Sequence, residues 1–551
     1  MKVVADKLAK AAAWTQIGAL SVEGPEAFGH NGEMLQTAKA RDGGADFDKF
    51  RLRNFAERLV AIGEAEVHAR PIAMADLAAA IAETPKAVVF KDAGPEHFEI
   101  VAAAGGSRRR LAAALGVSER DAGKEYLNRL GKPQPMIEVA SDIAPVHQVV
   151  RKGGDVDLTR LPFHLQHELD GGVYVSASID YAVDPATGKR NVGCRRLMLR
   201  SRDTMRANLT DASDLKMMYL ECIKRGERLP VSYVIGSHPL DYLAATQKQP
   251  VDEFALVGTV RGEPVPMVRG VTNGIYVPAD AEAVIEGYFD ELGYREMEGP
   301  YGEFYGYYGS MHIDPVFHAS AITMRRDAMF QTVLHAGRFV GRMDSANLAS
   351  LNAEVNAWRA LRTAGIEPVA INFVLASNGR QHCRVSLKRG APGQARLAIS
   401  TLFALPTVKH AFIVDEDVDV FSDEEVEWAM ATRFSAERDI VVATGLRGFY
   451  ADPMADKDGL VSKAGFDCTA RYDQPDKVEY RRAVAPKAST GMLSNKSVAE
   501  ALQSKAMHFG ELVAALGSAD GREIALALDV LREQDLVTRL ANGEWALKEK
   551  K

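Results

Sequence analysis

The segment Glu298-Gly299-Pro300-Tyr301-Gly302-Glu303 places a carboxylate on each side of a short turn. Proline fixes φ and glycine tolerates backbone conformations closed to other residues, so Gly-Pro-x-Gly predicts a sharp, defined bend. Such a bend can direct Glu298 and Glu303 into one space. Paired carboxylates often move protons in enzymes, although a glutamate beside such a turn is more commonly solvated. Chemistry at this turn is therefore expected only if other residues support it.

Composition narrows the functional classes. Of the 551 residues, 47% are hydrophobic and 26% charged, which is typical of soluble globular proteins. The length predicts about three or four domains. The net charge of −7 gives no electrostatic basis for binding nucleic acid or an anionic membrane. No long apolar run predicts a membrane helix, and the acidic Asp6 argues against a signal peptide. We therefore expect a cytoplasmic protein.

Several familiar site motifs are missing from the sequence. It contains no Walker-type phosphate loop, no G-x-S-x-G elbow and no H-E-x-x-H pair. The four cysteines form no CxxC pair, so a zinc ribbon or a dithiol redox site is not expected. His164 and His167 could bind a metal from a helix, but no third ligand is evident, and a structural role is favoured.

Hydrophobic periodicity predicts a mixed α/β (α+β) fold built of several units. The predicted units are an extension at 1–46, an α/β domain at 47–132, a β-rich domain at 133–340, an α/β domain at 341–490 and a winged-helix-like tail at 491–551.

Within the β-rich region, helices are predicted at 214–225 and 280–288, the second because its apolar residues recur at helical spacing. In the tail, two helices precede a hairpin with an Asn542-Gly543 turn. The segment 505–551 holds seven Lys or Arg and eight Asp or Glu. An oligomer contact or a lid is therefore favoured over DNA binding.

Three segments resemble a known family, and the third of them leads into the two-carboxylate turn. They are Asn191-Val192-Gly193-Cys194-Arg195-Arg196 on a predicted strand, residues 250–258 around Glu253, and residues 277–303, which end in the turn. In this order they resemble the UbiD family of decarboxylases, over residues 47–485. The resemblance implies a central split-β-barrel domain that binds prenylated FMN.

The resemblance places the family's catalytic arginine and two glutamates at Arg196, Glu298 and Glu303. Arginine is a rigid two-pronged cation for a carboxylate, and a flavin-derived ring can accept the charge left when CO2 departs. Glu303 is then the expected proton donor, within a network of Arg196 and Glu298. From residue types alone, a simple buried ion pair between Arg196 and Glu298 is about equally expected.

The resemblance also implies a divalent ion, Mn2+ or Mg2+, and often K+, beside the cofactor phosphate. The family's metal ligands are Asn, His and Glu. Asn191 and Glu253 match two of them and, with Arg196, are expected to bind the cofactor. Asp214 stands where the family has His, and an oxygen ligand suits Mg2+ or Mn2+. The competing interpretation is that Asp214 caps the helix predicted at 214–225.

The predicted reaction is a reversible, non-oxidative decarboxylation of an aromatic, heteroaromatic or α,β-unsaturated acid, free or linked as a thioester. The alternatives are a flavin-dependent oxidoreductase on a similar barrel and a non-catalytic subunit of a carboxylase complex. The complete Arg–Glu–Glu set argues against the second alternative. The expected partners are the substrate acid, a flavin prenyltransferase that supplies the cofactor, and further copies of this chain in a dimer or hexamer.

Overall fold

The computed structural model describes residues 38–39, 45–209, 213–471, 482–486 and 496–548. The α-helices are α1 (Leu52–Ala61), α2 (Leu77–Ala82), α3 (Arg108–Leu115), α4 (Ala122–Leu130), α5 (Asp214–Arg225), α6 (Pro239–Thr246), α7 (Glu253–Arg261), α8 (Asp344–Thr363), α9 (Gln394–Phe403), α10 (Asp423–Arg433), α11 (Val498–Leu502), α12 (Phe509–Leu516) and α13 (Arg522–Glu533).

The strands follow the same chain order. They are β1 (Ala38–Lys39), β2 (Ala65–His68), β3 (Ala87–Ala93), β4 (Phe98–Ala102), β5 (Met136–Glu138), β6 (Val149–Lys152), β7 (Tyr174–Val183), β8 (Arg190–Leu199), β9 (Thr204–Ala207), β10 (Leu229–Ile235), β11 (Val265–Arg269), β12 (Tyr276–Pro278), β13 (Ala283–Phe289), β14 (Glu296–Glu298), β15 (Tyr301–Gly302), β16 (Tyr308–Gly309), β17 (His312–Asp314), β18 (Val316–Met324), β19 (Met329–Thr332), β20 (Pro368–Phe373), β21 (His382–Leu387), β22 (His410–Asp415), β23 (Ile440–Arg447), β24 (Leu460–Asp467), β25 (Val537–Arg539) and β26 (Trp545–Leu547).

A closed six-stranded barrel lies at the centre of the fold. Its strands follow the order β13, β10, β7, β8, β9 and β18, and β18 pairs again with β13. All of these pairings are antiparallel. Along β10, Val234 belongs to one apolar core, and its neighbours Tyr233 and Ile235 belong to another. The barrel wall is therefore buried on both faces, and the predicted split barrel is confirmed.

The helix predicted at 280–288 is wrong, because most of this segment is the strand β13. The strand lies between β10 and β18 in the barrel. Val284 packs into one core, whereas Ala283 and Ile285 pack into the other. A strand buried on both faces loses the alternation of apolar and polar residues, so its pattern can imitate a helix.

An α/β unit precedes the barrel, as predicted. Its sheet has the order β19–β4–β3–β2, and α1 packs against it through Phe55 and Leu59. The edge strand β19 comes from residues 329–332, after the barrel, which local sequence patterns did not indicate. A second small sheet, β1–β5–β11–β12, joins residues 38–39 to the barrel region. The domain limits at 47, 132 and 340 stay predictions.

The C-terminal α/β unit forms as predicted, and the tail has the two predicted helices, α12 and α13, and a further short helix, α11. A five-stranded sheet, β20–β21–β22–β24–β23, packs against α8 and α9 around Trp358 and Phe403. The tail joins three helices to the hairpin β25–β26 and has its own apolar core around Leu512 and Leu528. Most of the predicted extension at 1–46 lies outside the described residues. Each helix that the structure describes is too short or too polar to cross a membrane.

Candidate active site

The two-carboxylate turn joins two short strands. Glu298 ends β14, and Glu303 follows β15 directly. Gly299 adopts a φ of 84°, which favours glycine, and the Gly299–Pro300 peptide bond is cis. The chain turns back after Glu303, whose backbone N donates to the Tyr307 carbonyl oxygen at 2.8 Å. The local sequence thus folds as the sharp bend that its residue types predict.

Backbone contacts hold the turn against the preceding loop. The backbone N of Gly171 donates to the Pro300 carbonyl oxygen at 2.8 Å, and the N of Gly302 donates to Asp170 Oδ1 at 3.0 Å. A Cβ on Gly302 would overlap the ring of His167. The turn can therefore lie this close to the loop only because glycine occupies that position.

Arg196, on β8, contacts both carboxylates. Its Nε and Nη2 donate to the two oxygens of Glu298 at 2.9 and 2.8 Å, and its Nη1 donates to Glu303 Oε1. The guanidinium lies 4.6 Å from the ring centroid of Tyr301. Burial alone would lower the pKa of Arg196, but Glu298 and Glu303 outweigh burial and raise that pKa. The structure thus brings together all three predicted catalytic residues around a permanent cation.

The two glutamates differ in exposure. The side chain of Glu298 is 0% exposed and that of Glu303 is 27% exposed. Glu298 is held by two oxygens against Arg196, which is the bidentate geometry typical of a fixed ion pair. Glu303 is therefore the carboxylate that a small molecule can reach.

His312, which local sequence patterns did not indicate as a site residue, lies behind Glu298. It is the direct cross-strand neighbour of Glu298 in the β14–β17 pair. Its Nδ1 lies 2.7 Å from Asp314 Oδ2 and 3.6 Å from Glu298 Oε2. Burial alone would lower the pKa of His312, but Asp314 and Glu298 raise it above its ordinary value. His312 therefore adds a second positive charge beside Glu298 when it is protonated.

Glu298, His312 and Asp314 offer atoms within 4.8 Å of one another and could in principle hold a metal. However, Arg196 already occupies both oxygens of Glu298. Asp314 Oδ1 accepts a hydrogen bond from the backbone N of Leu209 at 2.9 Å. We therefore interpret the cluster as a hydrogen-bond network that positions Glu298.

A cavity of about 140 Å³ lies beside Arg196 and Glu303. Residues of both the barrel and the C-terminal unit line it, including Tyr450 of the latter. Burial lowers the pKa of His335, another wall residue, to about 4, and His167 and the Arg196 cation act in the same direction. The wall next to Glu303 therefore holds a neutral imidazole near pH 7. The cavity wall also includes Ser176, Cys194, Arg195, Asn208, Tyr301 and Phe304.

A larger cavity, of about 740 Å³, lies elsewhere, between α1, α4 and the end of α7. Phe50, Arg129 and Arg261 line it, and it contains none of the residues predicted for catalysis or metal binding. Cavity size therefore does not locate the candidate site, whereas the convergence of charged residues does.

The residues predicted to bind metal lie near the start of β8. Asn191 Nδ2 donates to Asp180 Oδ2 at 2.8 Å, and Glu253 Oε2 accepts from the backbone N of Val192 at 2.6 Å. Asp252 caps α7 by accepting a hydrogen bond from the backbone N of Phe254, the second residue of the helix, so that Glu253 opens that helix. Burial raises the pKa of Glu253, and the charges of nearby Asp214 and Asp180 add to this effect. Asn191 and Glu253 thus lie in one acidic region at the start of β8.

Asp180, on β7, is a further member of this group that the motifs did not reveal. Its side chain is completely buried, and burial raises its pKa. Its Oδ1 lies 3.4 Å from Arg195 Nε and accepts no hydrogen bond from any described residue. The signal that could have found it is register, because β7 pairs with the strand that carries Asn191 and Arg196.

Asp214 opens α5, but the capping side chain is that of Ser213, which accepts from the backbone N of Lys216. The interpretation of Asp214 as the helix cap is therefore wrong. Asp214 Oδ2 lies 3.8 Å from Lys248 Nζ, which also lies 3.9 Å from Glu253 Oε1. One ammonium thus lies near two carboxylates that a divalent cation could neutralise instead.

The residue types near Asn191 suit a divalent metal, and the distance from Asn191 to Arg196 suits a flavin nucleotide. Carboxylate and amide oxygens are the ligands that Mg2+ and Mn2+ prefer. Asn191 and Arg196 are five residues apart on β8, or about 16 Å along a strand. That span suits a molecule with a phosphate at one end and a flat ring at the other, so the residues present fit a metal-bound flavin nucleotide.

His164 and His167 have the structural roles that were favoured. The ring of His164 is buried between the Pro162 carbonyl oxygen and Thr332 Oγ1, at 3.2 and 3.1 Å. His167 Nδ1 lies 3.0 Å from Asp170 Oδ2, and its ring packs edge-on against Tyr301.

Family comparison agrees with this geometry. Residues 137–338 match the UbiD model, described as the 3-octaprenyl-4-hydroxybenzoate carboxy-lyase Rift-related domain. Residues 346–468 match the C-terminal domain of the same carboxy-lyase. The chain belongs to the UbiD family. The predicted resemblance is therefore confirmed, and this UbiD chain is a carboxy-lyase by family.

Individual UbiD proteins resemble most of the chain. Anhydromevalonate phosphate decarboxylase of Methanosarcina mazei is 32% identical over 386 residues, which are 69% of this chain and 86% of the relative. The UbiD-class enzyme HmfF of Pelotomaculum thermopropionicum, solved with FMN, has a TM-score of 0.74 and 29% identity and covers 79% of this chain and 97% of its own. An evolved dimeric form of HmfF, solved with prFMN, has a TM-score of 0.71 and 27% identity and covers 80% and 97%. The likeness thus spans the barrel and the C-terminal unit.

Proposed function

We propose that this UbiD protein catalyses the reversible, non-oxidative decarboxylation of an aromatic, heteroaromatic or α,β-unsaturated carboxylic acid, free or thioester-linked, with prenylated FMN. The observation that carries the proposal is the contact of Arg196 with both Glu298 and Glu303 beside one cavity. The HmfF structures with FMN and prFMN support the choice of cofactor.

Asn191, Glu253 and Asp214 would hold Mn2+ or Mg2+, with K+ as a further ion, and Asn191, Glu253 and Arg196 would hold the flavin nucleotide. When bound, the modified flavin supplies an electron sink for the bond that breaks. The donor set of the first three residues and the nearby Lys248 ammonium support this arrangement. The other chemical roles fall to side chains of the chain itself.

Arg196 would orient the carboxylate that is lost. A guanidinium has five N–H groups, and three of those in Arg196 donate to Glu298 and Glu303. The remaining hydrogen on Nη1 can donate to a substrate carboxylate in the cavity. Because Glu298 fixes the guanidinium by two oxygens, the donor direction is set before substrate binds.

Glu303 would supply the proton that replaces CO2. When the bond between the substrate carbon and its carboxylate breaks, CO2 leaves without the bonding electron pair. Protonated Glu303 then donates its proton to that carbon, and a new C–H bond forms. Solvent reprotonates Glu303, which its partial exposure permits. One proton is consumed for each CO2 released, and the reverse sequence describes carboxylation.

Substitution of Glu303 by glutamine tests this role. We expect Glu303→Gln to lower turnover about 10²-fold to 10⁴-fold, since general acid catalysis is typically worth that much. The flavin absorbance and melting temperature of the loaded protein should stay close to wild type. A suitable control is Glu296→Gln, because Glu296 lies on β14 and pairs with Arg200 and Arg206 instead. Full activity of the Glu303 variant would contradict the assignment.

The two alternatives predict different measurements. A flavin oxidoreductase would oxidise a hydride donor in the presence of unmodified FMN. A non-catalytic subunit would release no CO2 when loaded with prenylated FMN and offered unsaturated and aromatic acids, free and thioester-linked. We further propose that a flavin prenyltransferase supplies the cofactor and that the chain works as a cytoplasmic dimer or hexamer; light scattering would measure its assembly.

A further inference from the structure

Arg380 places a cation beside the cavity, over the ring of Phe304. Among the described residues, no carboxylate oxygen lies within 4.0 Å of its guanidinium. Its Nη1 makes a long hydrogen bond of 3.4 Å to the Asn378 carbonyl oxygen. The guanidinium lies over two rings, 4.7 Å from the centroid of Phe304 and 5.1 Å from that of Phe449. Aromatic rings alone do not neutralise a cation, so its donors remain available to an anion.

Tyr305 adds a second donor. Its side chain is nearly buried, the residue being 9% exposed, and no described residue makes a hydrogen bond to its hydroxyl. The Tyr305 ring lies 5.4 Å from that of Phe304 and 5.9 Å from that of Phe449, the two rings over which Arg380 lies, and the positive charge of Arg380 opposes the rise that burial causes in the pKa of Tyr305. A buried hydroxyl without a partner is uncommon, because it costs free energy unless something accepts its proton.

The nearby carboxylate of Asp452 does not balance the charge of Arg380. Asp452, which also acts on Tyr305, lies 2.8 Å from Lys409 Nζ and accepts from Gln381 Nε2 at 3.0 Å. Its charge is thus already balanced. The Arg380 guanidinium and the Tyr305 hydroxyl therefore have no anionic partner among the described residues.

The two donors adjoin the wall of the cavity of the proposed reaction, because both lie against Phe304. Phe304, over which Arg380 lies, follows Glu303 in sequence and lines that cavity. The positive charges of Arg196 and Arg380 both lower the pKa of His335 on the cavity wall. Two glutamates balance the charge of Arg196, whereas no acid in the part of the chain that the structure describes pairs with Arg380.

We propose that Arg380 and Tyr305 form a second anion subsite, and that the substrate carries another anionic group, a carboxylate or a phosphate ester, besides the carboxylate that leaves. This inference rests on the proposed function only in placing the group on a decarboxylated substrate. The anion binding itself does not depend on turnover.

The first experiment measures binding without turnover. Inorganic phosphate and succinate are titrated separately by calorimetry into the full-length protein loaded with FMN, so that the cofactor's phosphate site is already occupied. We expect Arg380→Met to weaken binding of the preferred anion about tenfold to a hundredfold, because a charged hydrogen bond is typically worth about 1.5–3 kcal/mol. Tyr305→Phe should weaken it less, and Arg380→Lys should restore part of the loss. Preference for phosphate indicates a phosphate ester, and preference for succinate indicates a second carboxylate.

Arg342→Met is the matched control, because the Arg342 guanidinium also lies over a phenylalanine ring, 4.2 Å from the centroid of Phe339. It should leave binding unchanged. Equal anion affinities of wild type and all Arg380 variants would overturn the inference, even if the enzyme proves to be a decarboxylase. Loss of anion binding in Arg380→Met but not in Arg342→Met would support the subsite, even if the protein decarboxylates none of the acids tested.

A kinetic test separates substrate binding from chemistry. With a dianionic acid as substrate, Arg380→Met should raise KM at least tenfold and change kcat much less, because the subsite contacts a group that does not react. With a monoanionic acid of similar size, the variant should match wild type. A variant that loses kcat equally with both acids would point to a general structural role and contradict the subsite.

Discussion

Arg196 shows why the identity of single residues matters at this site. Three of its N–H groups donate to Glu298 and Glu303, in directions that a planar guanidinium fixes. A buried carboxylate such as Glu298 would be costly without that partner. The same contacts that stabilise the pair also leave one edge of the cation toward the cavity. Stability and the proposed chemistry therefore depend on the same hydrogen bonds.

His312 extends this network and should make its stability depend on pH. Asp314 and Glu298 raise the pKa of His312, while burial and Arg196 oppose the rise. The imidazolium thus stabilises the folded state fully below the unfolded pKa of about 6.5, and this contribution is lost as pH rises through the higher folded pKa. We expect His312→Gln to lower the melting temperature at about pH 6 more than at about pH 9, measured by differential scanning fluorimetry.

His97→Gln is the control for that experiment, because His97 also contacts an aspartate but its side chain is 77% exposed. It should shift the melting temperature little at any pH. A destabilisation by His312→Gln that is equal at both pH values would show that the imidazole acts by packing rather than by charge.

The sequence predicted the residues that belong to motifs and missed those that strand pairing supplies. Arg196, Glu298 and Glu303 come together as expected. His312 joins them because β17 pairs with β14 in one particular register. Asp180 reaches Asn191 in a similar way, from the neighbouring strand. Neither partner carries a local signal, since register depends on the whole barrel.

Elements with clear terminal signals were predicted best. The helix α5 spans 214–225 as predicted, with Ser213 as its N-cap and Gly226 at its C-terminus with a φ of 66°. The strand β13 was mistaken for a helix because its burial on both faces removes the usual alternation. Strand β19 enters the N-terminal sheet from far along the chain, and local patterns hold no information on such a pairing.

The position of the two-carboxylate turn depends on close backbone packing that glycine permits. A Cβ on Gly171 would overlap the carbonyl oxygen of Gly299 in the turn. We expect Gly171→Ala to displace the turn, and with it Glu303, because backbone cannot yield as a flexible side chain can. Turnover should fall at least about 10²-fold, since small misplacements of reacting groups are costly. Steady-state kinetics and the melting temperature should both be measured.

Gly154→Ala gives the matched control, because a Cβ on Gly154 meets nothing within 4 Å. Its kinetics should equal those of wild type. If Gly171→Ala keeps full activity, the turn tolerates displacement, and the argument that its glycines fix the carboxylates fails.

At the scale of the whole molecule, the candidate site draws on two units. The barrel carries Arg196 and the turn, while the C-terminal unit contributes Tyr450 to the cavity wall and Arg380 beside it. The sequence could predict both units separately, but it holds no direct signal for how they pack. Substrate recognition was therefore beyond prediction, whereas the reaction class was not.

The tail has its own apolar core, as the C-terminal unit has, but its described residues take no part in the candidate site. That core consists of residues between 498 and 547, and none of the described tail residues lines the cavity. We expect a chain truncated after residue 486 to keep wild-type kcat/KM and flavin absorbance. The segment 482–486 is retained because Arg482 Nη1 lies 2.6 Å from Glu425 Oε2 on α10.

Truncation after residue 459 is the contrasting control, since it removes β24, which lies between β22 and β23. Light scattering distinguishes the roles left to the tail: a smaller assembly with unchanged kcat/KM indicates an oligomer contact, whereas an unchanged assembly with lowered kcat/KM would contradict this prediction and indicate a lid.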